Sequence, residues 1–242
     1  MIDLHSHILP EQDDGAQSLQ DSLAMARMAV DSGVKAMVAT PHCMNDRTQE
    51  VYAAWMLLQE ALQEAQIPLK LYLGMEIFGT EDTADMLKDG ELFTLNGSRY
   101  PLVEFSFHSD GRRESHILRS ICRSGYRPLV AHPERYLYVQ EDPRILNGWL
   151  RMGCLLQVNR GSLLGRFGPY AQSTAIELVQ RGFATAVASD AHSFRMRTPW
   201  LKDVRAMLTE EVSSQCARML LRDNPGKILK NEEILPAEPE WF

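Results

Sequence analysis

The sequence lacks the features that mark membrane proteins and nucleic-acid-binding proteins. No apolar run among its 242 residues approaches the about 18 residues that a membrane-spanning helix needs. The net charge is −7, and the sequence shows no basic face or stripe of the kind that duplex-binding proteins present. We therefore expect no membrane span and no nucleic-acid partner.

Signals for secretion and for disulfide bonds are also missing. The N-terminal residues MIDLH are not a basic segment followed by a long apolar one, so the sequence predicts no signal peptide. The four cysteines, Cys43, Cys122, Cys154 and Cys216, are scattered and form no CxxC pair. This usage is typical of reduced thiols, and it predicts a cytoplasmic protein.

Short apolar runs alternate with longer amphipathic stretches along the chain. The apolar runs predict strands at residues 2–4, 35–39, 69–73, 99–105, 127–131, 154–158 and 184–188. The stretches between them predict helices at residues 18–32, 48–66, 81–88, 113–124, 143–152 and 170–181, followed by closing helices at residues 200–208 and 210–222. The Asn96-Gly97 pair predicts a hairpin between residues 92–94 and 99–105.

Repeated strand–helix units indicate right-handed crossovers and a parallel sheet. About seven such units in a chain of this length favour an α/β barrel, closed or nearly so, over an open doubly wound sheet. No glycine-rich dinucleotide-binding loop opens the first helix, which also counts against the open sheet. We expect a single domain over residues 1–242, with a short tail from about residue 231.

Residues of the types that bind metals stand at or near the carboxyl end of every predicted strand, which is the rim where parallel barrels build their active sites. Together with Asp14 in the loop after the first strand, the candidate ligands are His5, His7, Asp14, His42, Glu76, Glu104, His132, Asp190 and His192. Histidine and carboxylate ligands suit zinc, manganese or iron. Nine ligands are too many for one ion, so two or three ions with a bridging carboxylate are expected.

Other polar residues near this rim are expected to play supporting roles. Asp3 shares a strand face with His5 and His7 and is expected to support a ligand. Asp13 belongs to a DDG sequence and is expected to be a turn or cap residue. Asn159, after the sixth strand, either supports a ligand or caps a helix. Two further histidines, His108 and His116, do not fit the pattern and are expected on the surface or in loops.

The motifs DLHSH, TPH, HPER and SDAH resemble those of the PHP (polymerase and histidinol phosphatase) superfamily. Longer segments, MIDLHSHILPEQDDG, GMEIF, LVEFS, VAHPERY, MGCLLQVN and ASDAHSFRMRTP, resemble the bacterial manganese-dependent protein-tyrosine phosphatases of the CpsB/YwqE type. The resemblance extends from residue 1 to about residue 230. It implies a distorted (β/α)7 TIM-like barrel, the PHP fold, with three divalent metal ions, usually manganese and otherwise iron or zinc.

The resemblance also implies roles for individual residues. The first metal would be held by His5, His7, Glu76 and Asp190, the second by Glu76, Glu104 and His132, and the third by Asp14, His42 and His192. Arg135 and Arg197 match the phosphate-binding arginines of the family, a role that suits the planar fork of the guanidinium group. No residue of the segment CMNDR, residues 43–47, is assigned a role.

These roles imply metal-assisted hydrolysis of a phosphomonoester without a phospho-enzyme intermediate. The resemblance implies a phosphotyrosine protein as substrate, namely the tail of an autophosphorylated bacterial tyrosine kinase of capsule or exopolysaccharide synthesis. Two alternatives stay open: a phosphatase for a small phosphoester such as histidinol phosphate or a nucleotide, and a non-catalytic, metal-stabilised module. The sequence does not define the oligomeric state.

Two segments match the C-x5-R spacing of cysteine-dependent tyrosine phosphatases, Cys154 with Arg160 and Cys216 with Arg222. The first, CLLQVNR, is predicted to be a buried strand, and the second, CARMLLR, a helix. Neither offers a glycine-rich loop whose backbone N–H groups could hold a phosphate. We therefore expect no cysteine-based catalysis.

Overall fold

A computed structural model describes residues 1–43, 48–235 and 241–242. Residues 44–47 of the CMNDR segment and residues 236–240 of the predicted tail lie outside the described residues. The described strands are β1 (Ile2–Asp3), β2 (Ala36–Ala39), β3 (His42–Cys43), β4 (Lys70–Leu73), β5 (Glu76–Phe78), β6 (Leu102–Glu104), β7 (Leu129–Ala131), β8 (Leu155–Asn159) and β9 (Ala186–Ala188).

Helices follow most of these strands, as the alternating pattern predicts. The described α-helices are α1 (Leu19–Asp31), α2 (Thr48–Glu64), α3 (Thr83–Asp89), α4 (Arg112–Arg123), α5 (Leu137–Glu141), α6 (Ile145–Arg151), α7 (Arg160–Leu163), α8 (Pro169–Gln180), α9 (Lys202–Glu211), α10 (Ser214–Arg218) and α11 (Asn224–Leu229). Short 3-10 turns at Leu95–Gly97 and Pro133–Arg135 and a π-helical turn at Met219–Asp223 complete the regular structure of the described residues.

All strand pairings are parallel, in the orders β1-β2-β4 and β3-β5-β6-β7-β8-β9. The two ladders continue into each other, because β2 and β3 are separated only by residues 40–41, and β4 and β5 only by residues 74–75. Backbone bonds from Gly74 N to the Ala39 carbonyl (2.9 Å) and from Glu76 N to the Pro41 carbonyl (3.0 Å) carry the pairing across these breaks. The nine described strands thus occupy seven barrel positions.

The first and last barrel positions meet through an isolated parallel bridge between Ser6 and Ala191. Two backbone hydrogen bonds flank it, from His7 N to the Ala191 carbonyl (2.8 Å) and from Asp190 N to the His5 carbonyl (3.0 Å). We call this junction the barrel seam. The expected distorted (β/α)7 barrel is confirmed, with the distortion concentrated at the interrupted strands and at the seam.

Successive strand residues point alternately outward and inward, and they pack in two different clusters of the core. Outward-facing residues such as Met37 and Val130 pack with helix residues in the larger cluster. Inward-facing residues such as Val38 and Leu155 form a smaller cluster inside the barrel. Ile228 of α11 belongs to this inner cluster, so the C-terminal helix closes the amino end of the barrel. The carboxyl end is left for polar side chains.

Some local predictions were wrong. Asn96 and Gly97 do form a turn, with φ of 56° and 65°, but residues 92–94 are not a strand, so the predicted hairpin is absent. The reason is that β6 pairs with the parallel strands β5 and β7 on its two sides, which leaves it no free edge. The break between the closing helices falls at Val212–Ser213 rather than at residue 209, because the Ser213 hydroxyl caps α10 by accepting from Cys216 N (3.0 Å).

In the part of the chain that the structure describes, no helix combines the length and the apolar character that crossing a bilayer demands. Cys122, Cys154 and Cys216 carry free thiols. The end of the predicted tail packs back onto the barrel, since the Phe242 ring lies 4.7 Å from that of Phe183 and the Ile234 carbonyl accepts a hydrogen bond from Arg127 (2.8 Å).

Candidate metal centre

The nine predicted ligands all converge at the carboxyl ends of the strands. They form four overlapping groups, in each of which the possible ligand atoms lie within 4.8 Å of one another. The groups are His7 with Asp14, His42 and His192; His5 with His7 and Asp190; His5 with Glu76 and His132; and His42 with Glu76 and Glu104. The recurrence of ligand-type residues at strand ends therefore reflects one continuous cluster.

The centre of the cluster is the pair His5 and His7, whose Nε2 atoms lie 3.2 Å apart. Glu76 Oε2 lies 3.1 Å from the first of these nitrogens and 3.2 Å from the second. Asp190 Oδ1 lies 3.4 Å from both. His5, His7, Glu76 and Asp190 are all buried, so their charges cannot be balanced by bulk water.

A chain of buried hydrogen bonds fixes the tautomer of His5. Asp190 Oδ2 can only accept, so it receives a bond from Asn159 Nδ2 (2.6 Å), which leaves Asn159 Oδ1 to accept from Gln157 Nε2 (2.8 Å). Gln157 Oε1 then accepts from Nδ1 of His5 (2.8 Å). We call this chain the amide relay. It places the His5 proton on Nδ1 and leaves an unshared pair on Nε2, aimed at the cluster.

Asp13 fixes the tautomer of His7 in the same way. Its Oδ2 accepts from His7 Nδ1 (2.7 Å) and from His42 N (2.9 Å), and its Oδ1 accepts from Gly15 N (2.9 Å). Burial alone would raise the pKa of Asp13, but the hydrogen bond and charge of His7 outweigh it and lower the pKa to about 2. The expected turn role is confirmed, and the same carboxylate also orients a candidate ligand.

The DDG turn brings Gly15 against the backbone of the first ligand strand. A Cβ atom on Gly15 would stand 2.2 Å from the carbonyl oxygen of His7 and 2.5 Å from its Cβ. Only glycine leaves room for this approach, and the approach lets Ala16 N donate to the same carbonyl (3.0 Å). The turn thereby holds Asp13 and Asp14 beside the histidines.

The donor set fits a cation. With both Nδ1 atoms donating outward, the Nε2 atoms of His5 and His7 and the oxygens of Glu76 and Asp190 are four electron-rich atoms facing one another. Positive charge must balance them. The pKa of His7 shows this demand, because burial acts to lower it and yet the nearby carboxylates raise it well above its usual value. Divalent cations meet the same demand by binding the unshared pairs directly.

A second part of the cluster lies on the other side of Glu76. Its Oε1 is 2.8 Å from His132 Nε2, whereas its Oε2 is 3.1 Å from His42 Nδ1. Glu104 Oε1 is 2.8 Å from the same His42 nitrogen. The two oxygens of Glu76 thus face different neighbours, which is the arrangement that a bridging carboxylate requires. Glu76 Oε2 and His42 Nδ1 are buried and make no hydrogen bond to any described residue.

The third part is the outer rim of the cluster. Asp14 Oδ1 lies 3.3 Å from His192 Nε2 and 3.7 Å from His42 Nε2, and the Asp14 side chain is 66% exposed. Burial and the positive charges of His7 and Arg197 lower the pKa of His192 to about 3, so its imidazole is neutral. Neutral imidazole is the form that binds metals.

The backbone at two candidate ligands is strained. His132 has φ of 36° and Asp190 has φ of 51°, in a left-handed region that residues with a side chain seldom adopt. Both follow directly or closely after a strand, and the strained conformation turns their side chains into the cluster. Strain of this kind is typical of functional sites, where surrounding structure holds it in place.

Two arginines stand beside the cluster at Asp190. Arg135 Nη1 lies 3.3 Å and Arg197 Nη2 lies 2.5 Å from Asp190 Oδ2. Burial acts to raise the pKa of Asp190, but His5, His7 and Arg197 outweigh it and hold that pKa well below its usual range. Both predicted phosphate-binding arginines therefore lie where a phosphoryl group bound at the cluster would be within reach.

The supporting residues are partly as expected. Asp3 is buried and acts on backbone, accepting from Ser189 N (3.0 Å) and His5 N (3.5 Å), and burial raises its pKa to about 6. The Asn159 side chain belongs to the amide relay and caps no helix. Gln157 was not predicted, although it precedes Asn159 by two residues and so shares its inward face.

The residues that the sequence analysis excluded from the site also lie outside it in the structure. His108 and His116 are exposed. Arg160 is not available to a phosphate bound by Cys154, because its Nε and Nη2 atoms bond both oxygens of Asp203 (2.8 and 2.5 Å). Cys154 itself is buried, with its Sγ 3.8 Å from that of Cys122. These contacts agree with the expectation that the C-x5-R matches are coincidental.

A parallel barrel with histidines and carboxylates clustered at the carboxyl ends of its strands defines the class of metal-dependent barrel hydrolases. The fold is shared with a dihydropyrimidinase from Brevibacillus agri, with a TM-score of 0.60 at 10% identity over 99% of this chain and 73% of that chain. At that identity the likeness concerns the fold alone.

Within this class, the chain belongs to the CpsB/CapC family of capsular polysaccharide synthesis, whose family model matches residues 1–230. It is similar to the tyrosine-protein phosphatase YwqE of Bacillus subtilis (strain 168), with 34% identity over 99% of this chain and 96% of that protein. It is also similar to the tyrosine-protein phosphatase CpsB of Streptococcus pneumoniae, with 30% identity over 97% of this chain and 100% of that protein.

Crystal structures of YwqE and CpsB describe them as unique metal-dependent tyrosine phosphatases, and a chain from that work has a TM-score of 0.94 to this protein. That chain is 34% identical to this one, and the match covers 100% of this chain and 99% of that chain. The resemblance to this phosphatase family is therefore confirmed.

Proposed function

We propose that this protein is a metal-dependent phosphomonoesterase that removes phosphate from phosphotyrosine in proteins. The observation that carries the proposal is the meeting of four electron-rich buried atoms, from His5, His7, Glu76 and Asp190, directly beside Arg135. Its relatives are named tyrosine-protein phosphatases, and this supports phosphotyrosine as the substrate class. The capsule context of the family and the sequence resemblance support the phosphorylated tail of a bacterial tyrosine kinase as the substrate.

We further propose three divalent ions, most simply Mn²⁺, with Fe or Zn as alternatives. In this assignment the first ion takes His5, His7, Glu76 and Asp190; the second takes Glu76, Glu104 and His132; the third takes Asp14, His42 and His192. Support comes from the overlapping groups: one contains Asp14, His42 and His192 together, one contains His5, His7 and Asp190, and the two groups that contain His132 and Glu104 share Glu76. His42 faces two of these groups, with one ring nitrogen toward Glu104 and the other toward Asp14.

Bound divalent ions supply Lewis-acid activation of the phosphoryl group and of water. The chain's own residues then have three tasks in the proposed mechanism. Arg135 and Arg197, which lie beside Asp190, bind the phosphoryl oxygens and neutralise their charge as it grows in the transition state. Gln157 and Asp13 keep the imidazoles of His5 and His7 in the tautomer that presents Nε2. The strained backbone of His132 and Asp190 fixes the ligand positions before substrate arrives.

The direct test is turnover of a phosphotyrosine peptide in added Mn²⁺, with metal analysis of the purified protein. We expect Arg135→Ala and Arg197→Ala each to lower kcat by about 100-fold or more, because each removes a preorganised charge from the transition state. The control is Arg144→Ala, since Arg144 is 72% exposed and its ion-pair partner among the described residues is Asp142. Unchanged turnover in both site variants would show that the proposed phosphate clamp is wrong.

A panel of small phosphoesters, including histidinol phosphate and nucleotides, run beside the peptide separates the protein phosphatase from a metabolite phosphatase. Metal content without turnover on any substrate would indicate a metal-stabilised module instead. We also propose that residues 1–242 act as one domain with a tail from about residue 231, and that the protein works in the cytoplasm, where its free thiols stay reduced.

A further inference from the structure

An apolar groove of about 370 Å³ runs outward from Arg135. Its walls include Phe107, Leu137, Phe167 and Tyr170, and Arg135 is the charged side chain that lines it. Leu137 is 42% exposed and Tyr170 is 76% exposed. A groove of this size lies within the range of small-molecule sites, which are mostly apolar and carry a few orienting polar groups.

Arg135 connects the groove to the metal centre. Its Nη1 reaches Asp190 Oδ2 at 3.3 Å, while its Cζ lies 4.7 Å from the ring centre of Phe107 and 4.3 Å from that of Phe167. Both distances are typical of cation–π contacts, which hold the guanidinium at the junction. The two rings therefore flank the guanidinium that would bind the phosphoryl oxygens.

Apart from Arg135, the groove offers no charged side chain among its lining residues that could bind a charged group. The Gln140 amide donates to the backbone carbonyl of Glu134 (2.8 Å), and no carboxylate belongs to the lining residues. The positive charge of Arg135 is directed toward Asp190. What the walls offer is apolar and aromatic surface, which favours an apolar occupant that approaches an aromatic face or edge.

We propose that this groove binds the aromatic ring of the phosphotyrosine substrate and thereby selects aryl over alkyl phosphomonoesters. The proposal rests on the proposed function, because it requires the phosphoryl group to lie between the metal centre and Arg135. The ring of phosphotyrosine is joined directly to the phosphate oxygen, so the ring follows the phosphate into the groove. The short aliphatic side chain of phosphoserine brings no ring to these walls, and its backbone must come closer to the rim.

Two variants separate ring binding from the positioning of Arg135. Leu137→Ser removes apolar wall, and the described hydrogen bonds, ion pairs and cation–π contacts of Arg135 do not include the Leu137 side chain. Phe167→Ser removes both wall and a cation–π partner. The matched control is Leu57→Ser on α2, because Leu57 is 48% exposed and lies outside the groove. Circular dichroism and Tm confirm that each variant is folded.

The experiment compares two non-hydrolysable ligands, phenylphosphonate and methylphosphonate, by calorimetry with the Mn²⁺-loaded protein. We expect the unmodified protein and Leu57→Ser to bind phenylphosphonate about tenfold more tightly, the scale that one buried aromatic contact provides. Leu137→Ser and Phe167→Ser are expected to lose most of this preference, with Leu137→Ser leaving the Kd of methylphosphonate within twofold. Equal Kd values for both ligands in the unmodified protein would overturn the proposal.

Turnover gives the second comparison, with one peptide sequence carrying phosphotyrosine or phosphoserine. We expect Leu137→Ser to raise KM about fivefold on phosphotyrosine and to narrow the ratio of kcat/KM between the two peptides. A parallel loss on both peptides would show that the groove acts only through Arg135, and would overturn ring binding. Absence of turnover with a retained preference for phenylphosphonate would contradict the proposed function and support the groove, so the two failures are distinguishable.

Discussion

The amide relay makes a quantitative prediction about Gln157. In Gln157→Leu, the shape is nearly kept, but His5 Nδ1–H loses its acceptor and Asn159 Oδ1 loses its donor. Both Gln157 and Asn159 are fully buried, so water cannot replace the lost partners. Each unsatisfied buried group costs about 1–3 kcal/mol, and a leucine in place of an amide regains about 1 kcal/mol of apolar burial.

The net loss in the free energy of unfolding is therefore expected to be about 3 kcal/mol, which lowers Tm by about 6–12 °C in a chain of this length. His5 is also released to rotate or to change tautomer, so affinity for Mn²⁺ is expected to fall about 10- to 100-fold. Tm is measured by differential scanning calorimetry with the metal removed, and Kd by metal titration into the same sample.

The control for this prediction is Gln172→Leu. Its amide donates one hydrogen bond to the Leu163 carbonyl (3.2 Å) and does not contact the cluster. We expect a small loss of Tm and no change in metal affinity. The reasoning would be refuted if Gln157→Leu lost no more stability than this control and kept its metal Kd within twofold of the unmodified protein.

Two further predictions concern the chemistry and the acid stability. A chelator is expected to abolish phosphatase activity, because the candidate centre holds histidines and carboxylates. A thiol alkylator is expected to leave most of the activity, because Arg160, the arginine of one C-x5-R match, is bound by Asp203. An activity assay after each treatment checks this, and the reverse result would indicate cysteine chemistry. Burial acts to raise the pKa of Asp203, but the hydrogen bond and charge of Arg160 outweigh burial and lower that pKa. The ion pair therefore stabilises the fold at pH values above the ordinary aspartate pKa, and this stabilisation is lost as the pH falls through the lowered pKa of Asp203. The Tm difference between the unmodified protein and Asp203→Asn is therefore expected to be largest near neutral pH and to shrink below about pH 4; a constant difference would contradict the assignment.

The positions of the candidate ligands could be read from the sequence because the strands are parallel. Parallel order brings every strand's carboxyl end to one rim, so a residue such as Glu76 or His132 needs only to follow its own strand to enter the cluster. The barrel itself follows from the number of strand–helix units. No knowledge of side-chain packing is required for either step.

Contacts between residues far apart in the chain could not be read in the same way. The amide relay joins His5 to Gln157, and a glutamine on a buried strand carries no local sign of such a partner. Phe107 and Phe167 come from separate loops, and only the fold brings both rings to Arg135.

The barrel seam has a consequence for how the protein reaches its working form. The bridge between Ser6 and Ala191 links the start of the chain to a segment nearly two hundred residues later, and the candidate ligands His5, His7, Asp190 and His192 stand on either side of it. During synthesis, His5 and His7 are made long before Asp190, so the inner group of the proposed metal centre is complete only after the seam has formed. In the proposed assignment, an ion held by His5, His7 and Asp190 would join the two sides of the seam, so removal of the metal is expected to weaken the closure of the barrel there.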